Sequence, residues 1–179
     1  MTVQKTNIEG VNIIKNFIAH DVRGVFVKTF HEDIFAQNGL ETQFKESYYS
    51  TSQKNVIRGM HFQLPPYDHD KLIFVTEGEI IDVVLDIRTE SETYGQFVTF
   101  KISQLSDSIF IPKGCAHGFL TISEKATVVY NVSKVYNAQF DTGILWNSFG
   151  YDWCDVQSPI LSKRDSEFTP LCNFISPFR

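Results

Sequence analysis

Hydrophobic residues recur along the chain in short runs, rich in β-branched and aromatic side chains, that Gly, Asn, Asp or Pro residues separate. Such runs predict β-strands. The run KLIFVTEGEIIDVVLDI contains TEGE (Thr76–Glu79), which predicts a tight hairpin turn within it. Many short strands with frequent turns predict an antiparallel sandwich or barrel of the jelly-roll type. From residue 23 onward the predicted strands are GVFVKTF, NVIRGMHF, KLIFVTEGEIIDVVLDI, GQFVTFKI, DSIFIP, HGFLTI and ATVVYNVSKVY.

Two stretches depart from this pattern. HEDIFAQNG (His31–Gly39) predicts a short helix that ends at Gly39, and LSKRDSEFTPL near the C-terminus predicts an irregular or short helical piece. No internal repeat, low-complexity tract or Pro/Gly-rich linker divides the chain. We therefore predict one all-β domain over residues 1–179, with the segment 150–179 packed on the barrel.

Composition excludes several classes of protein. Hydrophobic residues make up 42% of the 179, which suits a packed core, and a net charge of -5 argues against a nucleic-acid-binding protein. Cys115, Cys154 and Cys172 show no CxxC spacing, so we expect neither a disulfide framework nor structural zinc. The N-terminus lacks the apolar region of a signal peptide, and no apolar run is long enough to cross a membrane. These features predict a cytoplasmic protein without a nucleic-acid or membrane partner.

The stretch RGMHFQLPPYDHDK (Arg58–Lys71) places basic residues and histidines in a strand-forming region. A metal site is one interpretation, but Phe62 interrupts the H-x-H pair that such a site would use. His61 and His117 are then the two well-placed histidines, and a stable site needs three or four ligands, so we predict no metal. Acid–base chemistry is the better interpretation, because a histidine can remove a proton, a carboxylate can orient it, and a lysine can stabilise an oxyanion.

Two positions raise questions of geometry. Strict alternation places Arg58, a candidate phosphate ligand, and His61 on opposite faces of one strand. A β-bulge at Gly59, which lies between them, would bring both to one side. In EIIDVVLDI, Asp82 either faces solvent from a half-buried strand or looks into a polar lumen that holds a ligand.

Seven motifs, given at the end of this paragraph, follow one another in the same order as in a known family, over a match that runs from about Asp21 to Leu171. The pair R-G-x-H-F-Q and P-x-G-x-A-H-G-F is a specific combination. Together the motifs closely resemble the dTDP-4-dehydrorhamnose 3,5-epimerase family of sugar-nucleotide enzymes. The resemblance implies a cupin-type jelly roll without metal or cofactor, a homodimer that exchanges strands, and deoxysugar supply for a polysaccharide or capsule. The motifs are NVIRGMHFQLPP, DKLIFVTEGEIIDVVLDIR, TYGQF, IPKGCAHGFL, VVYNVSKVY, GILWN and SPILSKRDSEFTPL.

The resemblance also implies catalytic roles. His61 matches the family's base, Asp165 its carboxylate partner, Tyr130 a general acid on the opposite face of the sugar, and Lys71 the lysine beside the C4 carbonyl oxygen. A ketone at C4 acidifies the hydrogens on C3 and C5, so removal of either gives an enolate that Lys71 would stabilise. Two opposed groups are required, because a single base that returned its own proton would restore the starting configuration.

Substrate-binding positions follow from the same resemblance. Arg58 matches an arginine near the diphosphate, and Arg23 one that binds it from the dimer partner. Phe26 sits where an aromatic ring packs on the nucleotide base. The other implied pocket positions are Gln63, Asp82, His117 and Tyr136.

Three positions near the nucleotide depart from the family pattern. Lys28 stands where the family commonly has an acidic residue that touches thymine, and Glu46 and Tyr48 stand where it has Gln and Asn. Glu46 could accept two hydrogen bonds from guanine while Lys28 reached its O6, so we consider a GDP-linked substrate, hexose or heptose, in place of a dTDP-linked one. In the alternative, Lys28 and Glu46 pair with each other at a dimer surface.

The sequence thus predicts an epimerase that inverts C3, C5 or both in an NDP-4-keto-6-deoxy sugar. Three rivals stay open at this point. A 3,4-ketoisomerase would move the carbonyl through a similar enolate, a metal-dependent cupin oxygenase would hold a metal, and a non-catalytic cupin would bind the sugar nucleotide without exchanging its protons.

Overall fold

The structure is a computed structural model that describes residues 1–153, 156 and 158–179. Its helices are short, and every paired strand runs antiparallel to its neighbours. The strands are β1 (Thr2–Lys5), β2 (Asn12–Lys15), β3 (Phe17–Asp21), β4 (Gly24–Lys28), β5 (Glu46–Gln53), β6 (Ile57–Gln63), β7 (Lys71–Glu77), β8 (Glu79–Asp86), β9 (Phe97–Ser103), β10 (Ser108–Ile111), β11 (Cys115–Thr121), β12 (Lys125–Val132) and β13 (Asp141–Gly143). The helical pieces are α1 (Glu32–Gln37), α2 (Lys163–Ser166) and a 3₁₀ turn (Leu171–Asn173).

Two large sheets pack face to face. The six-stranded sheet has the order β1-β2-β10-β7-β12-β5, and the five-stranded sheet has the order β13-β6-β11-β8-β9. Ile73 and Val128 of the first meet Val84 and Phe119 of the second in one buried cluster. This is an all-β sandwich of the cupin type, so the predicted fold class is confirmed.

Most predicted elements are present. Strands lie in each of the seven predicted segments, the TEGE turn falls at Gly78 between β7 and β8, and α1 and α2 lie in the two predicted helical stretches. The prediction missed β1, β2, β3, β5 and β13, which are short or polar. The strand β5 reads ESYYSTSQ and lies at the edge of its sheet, where backbone pairing with β12 along its whole length holds a sequence without apolar alternation.

The strand β8 is buried on both faces. Val84 points into the core between the sheets, and Val83 packs in a second cluster together with Trp153 and Phe178 from the C-terminal segment. Asp82 is fully buried. The solvent-facing interpretation of Asp82 is therefore wrong, because the opposing sheet covers its face of the strand.

The state of the cysteines and the length of the helices relate to two expectations from the sequence, which concern disulfides and membrane-spanning segments. Cys115 is buried and Cys172 is exposed, both as free thiols, and Cys154 lies outside the described residues. The longest helix among the described residues has six residues, too few to cross a bilayer.

The hairpin of β3 and β4 stands apart from the sandwich. Its two strands pair with each other and with no other described strand. Phe17 and Phe26 are 48% and 57% exposed, and Val22 in the turn is fully exposed. The hairpin thus presents an apolar surface to its surroundings.

A β-bulge in β6 aligns two predicted site residues. His61 pairs with His117 and Arg58 pairs with Phe119, so three steps along β6 match two along β11. Gly59 supplies the extra residue, with φ of +136°. Arg58 and His61 consequently line the same cavity, and the predicted bulge is confirmed.

The bulge has no room for a side chain. A Cβ on Gly59 would lie 2.5 Å from Gly118 Cα, whereas a Cβ on Gly24, which has a similar φ of +124°, would meet nothing within 4 Å. We expect Gly59→Ala to lower the free energy of unfolding by about 1–3 kcal/mol more than Gly24→Ala, as measured by urea denaturation. Equal losses in the two variants would show that the close approach of β6 to β11 does not constrain the bulge.

Candidate active site

Two cavities meet at His61. One has a volume of 320 Å³ and the other 370 Å³, and both are lined by His61 and Arg164. The first is further lined by Glu46, Tyr48, Phe62, His69, Lys71, Val132, Lys134, Tyr136 and Asp141. The second is further lined by Val56, Ile57, Arg58, Ile160, Leu161, Ser162 and Asp165.

The short helix α2 delivers Asp165 to the back of His61. Two backbone bonds fix this C-terminal segment beside β6: Ile57 donates its N–H to the Ile160 carbonyl, and Ile160 donates its N–H to the Asn55 carbonyl. The Ser162 hydroxyl accepts the N–H of Asp165 at 3.1 Å as a helix cap. The Asp165 carboxylate accepts the N–H of Gly59 at 3.0 Å, and its other oxygen lies 2.9 Å from His61 Nε2. The carboxylate therefore faces one defined nitrogen of the imidazole.

The pair sets the protonation state of both groups. Burial alone would raise the pKa of Asp165, but the contacts with His61 and the Gly59 N–H lower it to about 2. Burial lowers the pKa of His61 below its usual 6.5, although Asp165 partly offsets the shift. At neutral pH a charged carboxylate thus faces a neutral imidazole. A proton on Nε2 leaves the lone pair on Nδ1, so the ring can accept a proton there.

Lys71 begins β7 and is buried beside the histidine. Its Nζ donates to the His61 carbonyl oxygen at 3.0 Å. Burial lowers the pKa of Lys71 to about 8, and the charges of Asp141 and Asp82 limit that shift. The ammonium group stays protonated at pH 7 and has further N–H donors for an anionic oxygen in the cavity.

A second buried group, Tyr130, belongs to the opposite sheet and is not among the residues that line either cavity. Tyr130 lies on β12 of the six-stranded sheet, whereas His61 lies on β6 of the five-stranded one. His117 pairs with Asp82 at 2.6 Å, and its ring meets Tyr130 edge-on with a centroid distance of 6.0 Å. Burial raises the pKa of Tyr130 above its usual range, with the nearby Ser50 hydroxyl opposing the shift. Tyr130 therefore holds its proton at neutral pH.

Two predicted substrate-binding side chains, Gln63 and Glu46, hold the cavity wall. Gln63 is buried, its carbonyl oxygen accepts the N–H of Asn137 at 2.6 Å, and its amide nitrogen donates to the Tyr67 carbonyl at 2.9 Å. Glu46 accepts the N–H of Tyr136 at 2.7 Å. These bonds fix the segment after β12, which carries Tyr136, along the edge of the cavity.

The remaining predicted residues lie further out. Arg58 lines the second cavity, where its Nε donates to the Ser52 hydroxyl at 2.8 Å. Arg23, Phe26 and Lys28 lie on the β3–β4 hairpin and line neither cavity of their own chain. Within one chain the structure thus does not bring them to His61.

Sequence reasoning missed several residues that line the first cavity. His69 lies two residues before Lys71, and burial lowers its pKa to about 4. Arg164, next to Asp165 in SKRD, forms an ion pair with Asp141. The proximity of His69 and Arg164 to predicted residues was an available signal. Asp141 offered none, because it lies in a strand that the pattern did not predict.

Comparisons with known proteins show the family of the chain. The profile of the dTDP-4-dehydrorhamnose 3,5-epimerase family matches residues 5–173. A dTDP-4-dehydrorhamnose 3,5-epimerase from Methanothermobacter thermautotrophicus is 40% identical over 172 residues, which cover 93% of this chain and 92% of the relative. Another from Escherichia coli K12 is 37% identical over 179 residues, with 98% and 97% covered.

A solved structure gives the same result. The dTDP-6-deoxy-D-glucose-3,5-epimerase from Legionella pneumophila Philadelphia 1, in complex with dTDP-4-keto-L-rhamnose, has a TM-score of 0.92 to this chain. It is 31% identical, and the match covers 97% of this chain and 94% of that one. The chain therefore belongs to the dTDP-4-dehydrorhamnose 3,5-epimerase family and is an isomerase.

Proposed function

We propose that this chain epimerises C3 and C5 of a dTDP-linked 4-keto-6-deoxyhexose. The observation that carries the proposal is the His61–Asp165 pair, which lies beside the buried Lys71 at the cavity, with Tyr130 on the facing sheet. A base, an oxyanion donor and a separate acid are the groups that inversion next to a ketone requires.

The proposed reaction transfers protons only. His61 takes a proton from C3 or C5, and the electron pair of that C–H bond moves into an enolate whose oxygen accepts a hydrogen bond from Lys71. Tyr130 gives its proton to the opposite face of the same carbon, which inverts the centre. Proton exchange with solvent then returns the imidazolium and the phenolate to their starting states.

We propose that residues of two chains bind the nucleotide part of the substrate. Arg58 lines the second cavity, where its guanidinium could bind a diphosphate through two hydrogen bonds. Because Arg23 and Phe26 lie on the exposed hairpin, they would reach the diphosphate and the base only in the site of a second copy. The proposal therefore includes a homodimer that exchanges its hairpins.

The base is proposed to be thymine. The relative from Legionella pneumophila carries a dTDP-linked sugar. In addition, Glu46 already accepts the N–H of Tyr136, which reduces the acceptor capacity that recognition of guanine would need. The guanine hypothesis is not confirmed. Supplying dTDP- and GDP-linked sugars separately distinguishes it from the thymine assignment.

Proton NMR in D₂O tests the reaction directly. With dTDP- and GDP-linked 4-keto-6-deoxy sugars supplied separately, we expect deuterium at C3 and C5 together with inverted product from the dTDP-linked sugar. Preference for the GDP-linked sugar would refute the thymine assignment. A carbonyl that moved to C3 would identify a ketoisomerase, and binding without exchange would identify a binding protein.

Variants of His61, Asp165 and Tyr130 test the proposed role of each residue. His61→Asn replaces the imidazole with a smaller amide that cannot act as a base, and Asp165→Asn keeps the shape of the side chain but removes its charge. We expect both to lower the exchange rate by about 10²–10⁴-fold. Tyr130→Phe is expected to retain deuterium exchange while it loses inversion, because His61 can return a deuteron to the face from which it took the proton.

The pH dependence of kcat/KM reports on His61 and Lys71. Activity needs neutral His61, so it is expected to fall as pH drops through the lowered pKa of this residue, below 6.5. It also needs protonated Lys71, so it is expected to fall about tenfold per pH unit above pH about 8. In Lys71→Arg the cation does not titrate in this range, and the alkaline decline should disappear; its persistence there would assign the decline to another group.

Mixed dimers test whether the hairpin acts in the other subunit. We expect Arg23→Ala and His61→Asn each to have little activity alone and to regain activity when unfolded and refolded together. The mixed dimer then holds one site with both His61 and the partner subunit's Arg23. No recovery, in a sample shown to be dimeric by light scattering, would place both residues in the site of one chain.

A further inference from the structure

Tyr48 makes the most direct ring contact with Tyr130. The two rings are stacked, with centroids 4.8 Å apart and an angle of 17° between their planes. The contact follows from the sheet itself, because Tyr48 of β5 is the cross-strand partner of Tyr130 of β12. The sequence offered Tyr48 only as a departure from the family pattern.

The Tyr130 ring is held by aromatic contacts on two sides, one of which is the stack with Tyr48. His117 meets Tyr130 edge-on, and His117 is itself held by Asp82 at 2.6 Å. Tyr130 thus contacts both an anchored imidazole and the Tyr48 ring. Such contacts restrict how far a ring can rotate.

Tyr48 also separates Tyr130 from water. Among the described strands, β5 is the last of its sheet, and its Tyr48 ring covers Tyr130 on that side. Tyr48 is 43% exposed and lines the 320 Å³ cavity, whereas Tyr130 is 8% exposed. Loss of the Tyr48 ring would admit solvent to the phenol and free it to turn.

We propose that Tyr48 is a positioning residue that stacks on Tyr130 and so determines how often the enolate is reprotonated on the inverted face. The inference rests on the proposed function. The enolate has two fates: Tyr130 protonates it from one face with inversion, or His61 returns a proton to the other face without inversion. A fixed, dry Tyr130 favours inversion, so Tyr48 acts on this partition and not on deprotonation.

The ratio of inverted product to deuterium exchanged without inversion, measured by NMR in D₂O, tests this role. We expect Tyr48→Leu to lower the ratio by about two- to tenfold, the range that loss of an aromatic pair gives, while the rate of deprotonation and KM change by less than about twofold. Tyr48→Phe keeps the ring and should restore the ratio. Tyr49→Leu, one residue along β5 and 71% exposed, is the matched control and should resemble wild type.

A double variant separates action through Tyr130 from an independent effect. In the Tyr130→Phe background, which has already lost inversion, Tyr48→Leu should leave the remaining rate of deuterium exchange unchanged, and a fall in that rate would show an effect that does not act through Tyr130. A KM increase in Tyr48→Leu with an unchanged ratio would assign Tyr48 to substrate binding and overturn the inference. A loss in Tyr48→Phe as large as in Tyr48→Leu would assign the role to the hydroxyl and overturn it as well.

The same assay distinguishes failure of the inference from failure of the proposed function. Exchange and inversion in the wild type, with an unaltered ratio in Tyr48→Leu, would overturn the role of Tyr48 alone. Absence of exchange in the wild type would overturn the proposed function, and the positioning role with it.

Discussion

The contact between Asp165 and His61 joins parts of the chain that are far apart in sequence, and the candidate site depends on it. A buried carboxylate is costly unless its oxygens have partners. Asp165 has the imidazole on one oxygen and the N–H of Gly59 on the other. Because Gly59 is the bulge residue of β6, the same carboxylate fixes both the ring and the backbone that carries it. The C-terminal segment is thus a structural part of the site.

Burial has one consistent effect on the three proposed proton-handling groups. It lowers the pKa of His61, lowers that of Lys71 to about 8, and raises that of Tyr130. In each case the low-polarity interior disfavours the charged form. The base is therefore neutral and the acid protonated at pH 7, and the ammonium remains charged but gives up its proton more readily. One physical cause prepares three residues from two sheets for the same proton transfer.

The position of the site at the edge of the sandwich explains where specificity can vary. The strands that form the core keep His61, Lys71 and Tyr130 in place. The edge strand β5 carries Glu46 and Tyr48, and these side chains reach the segment after β12 and the Tyr130 ring. Substitutions at an edge strand alter the cavity wall without disturbing the packing of the core, because one side of that strand has no neighbour in its sheet.

The sequence by itself determined the fold class, most core strands, the bulge at Gly59 and the family, because apolar periodicity and specific motifs are local properties of the chain. Only the tertiary structure showed that Asp82 is buried against His117, that Gln63 and Glu46 hold the cavity wall, and that Tyr48 stacks on Tyr130. These contacts join residues from different strands. No local pattern encodes them, since they depend on which strands become neighbours and in what register they pair.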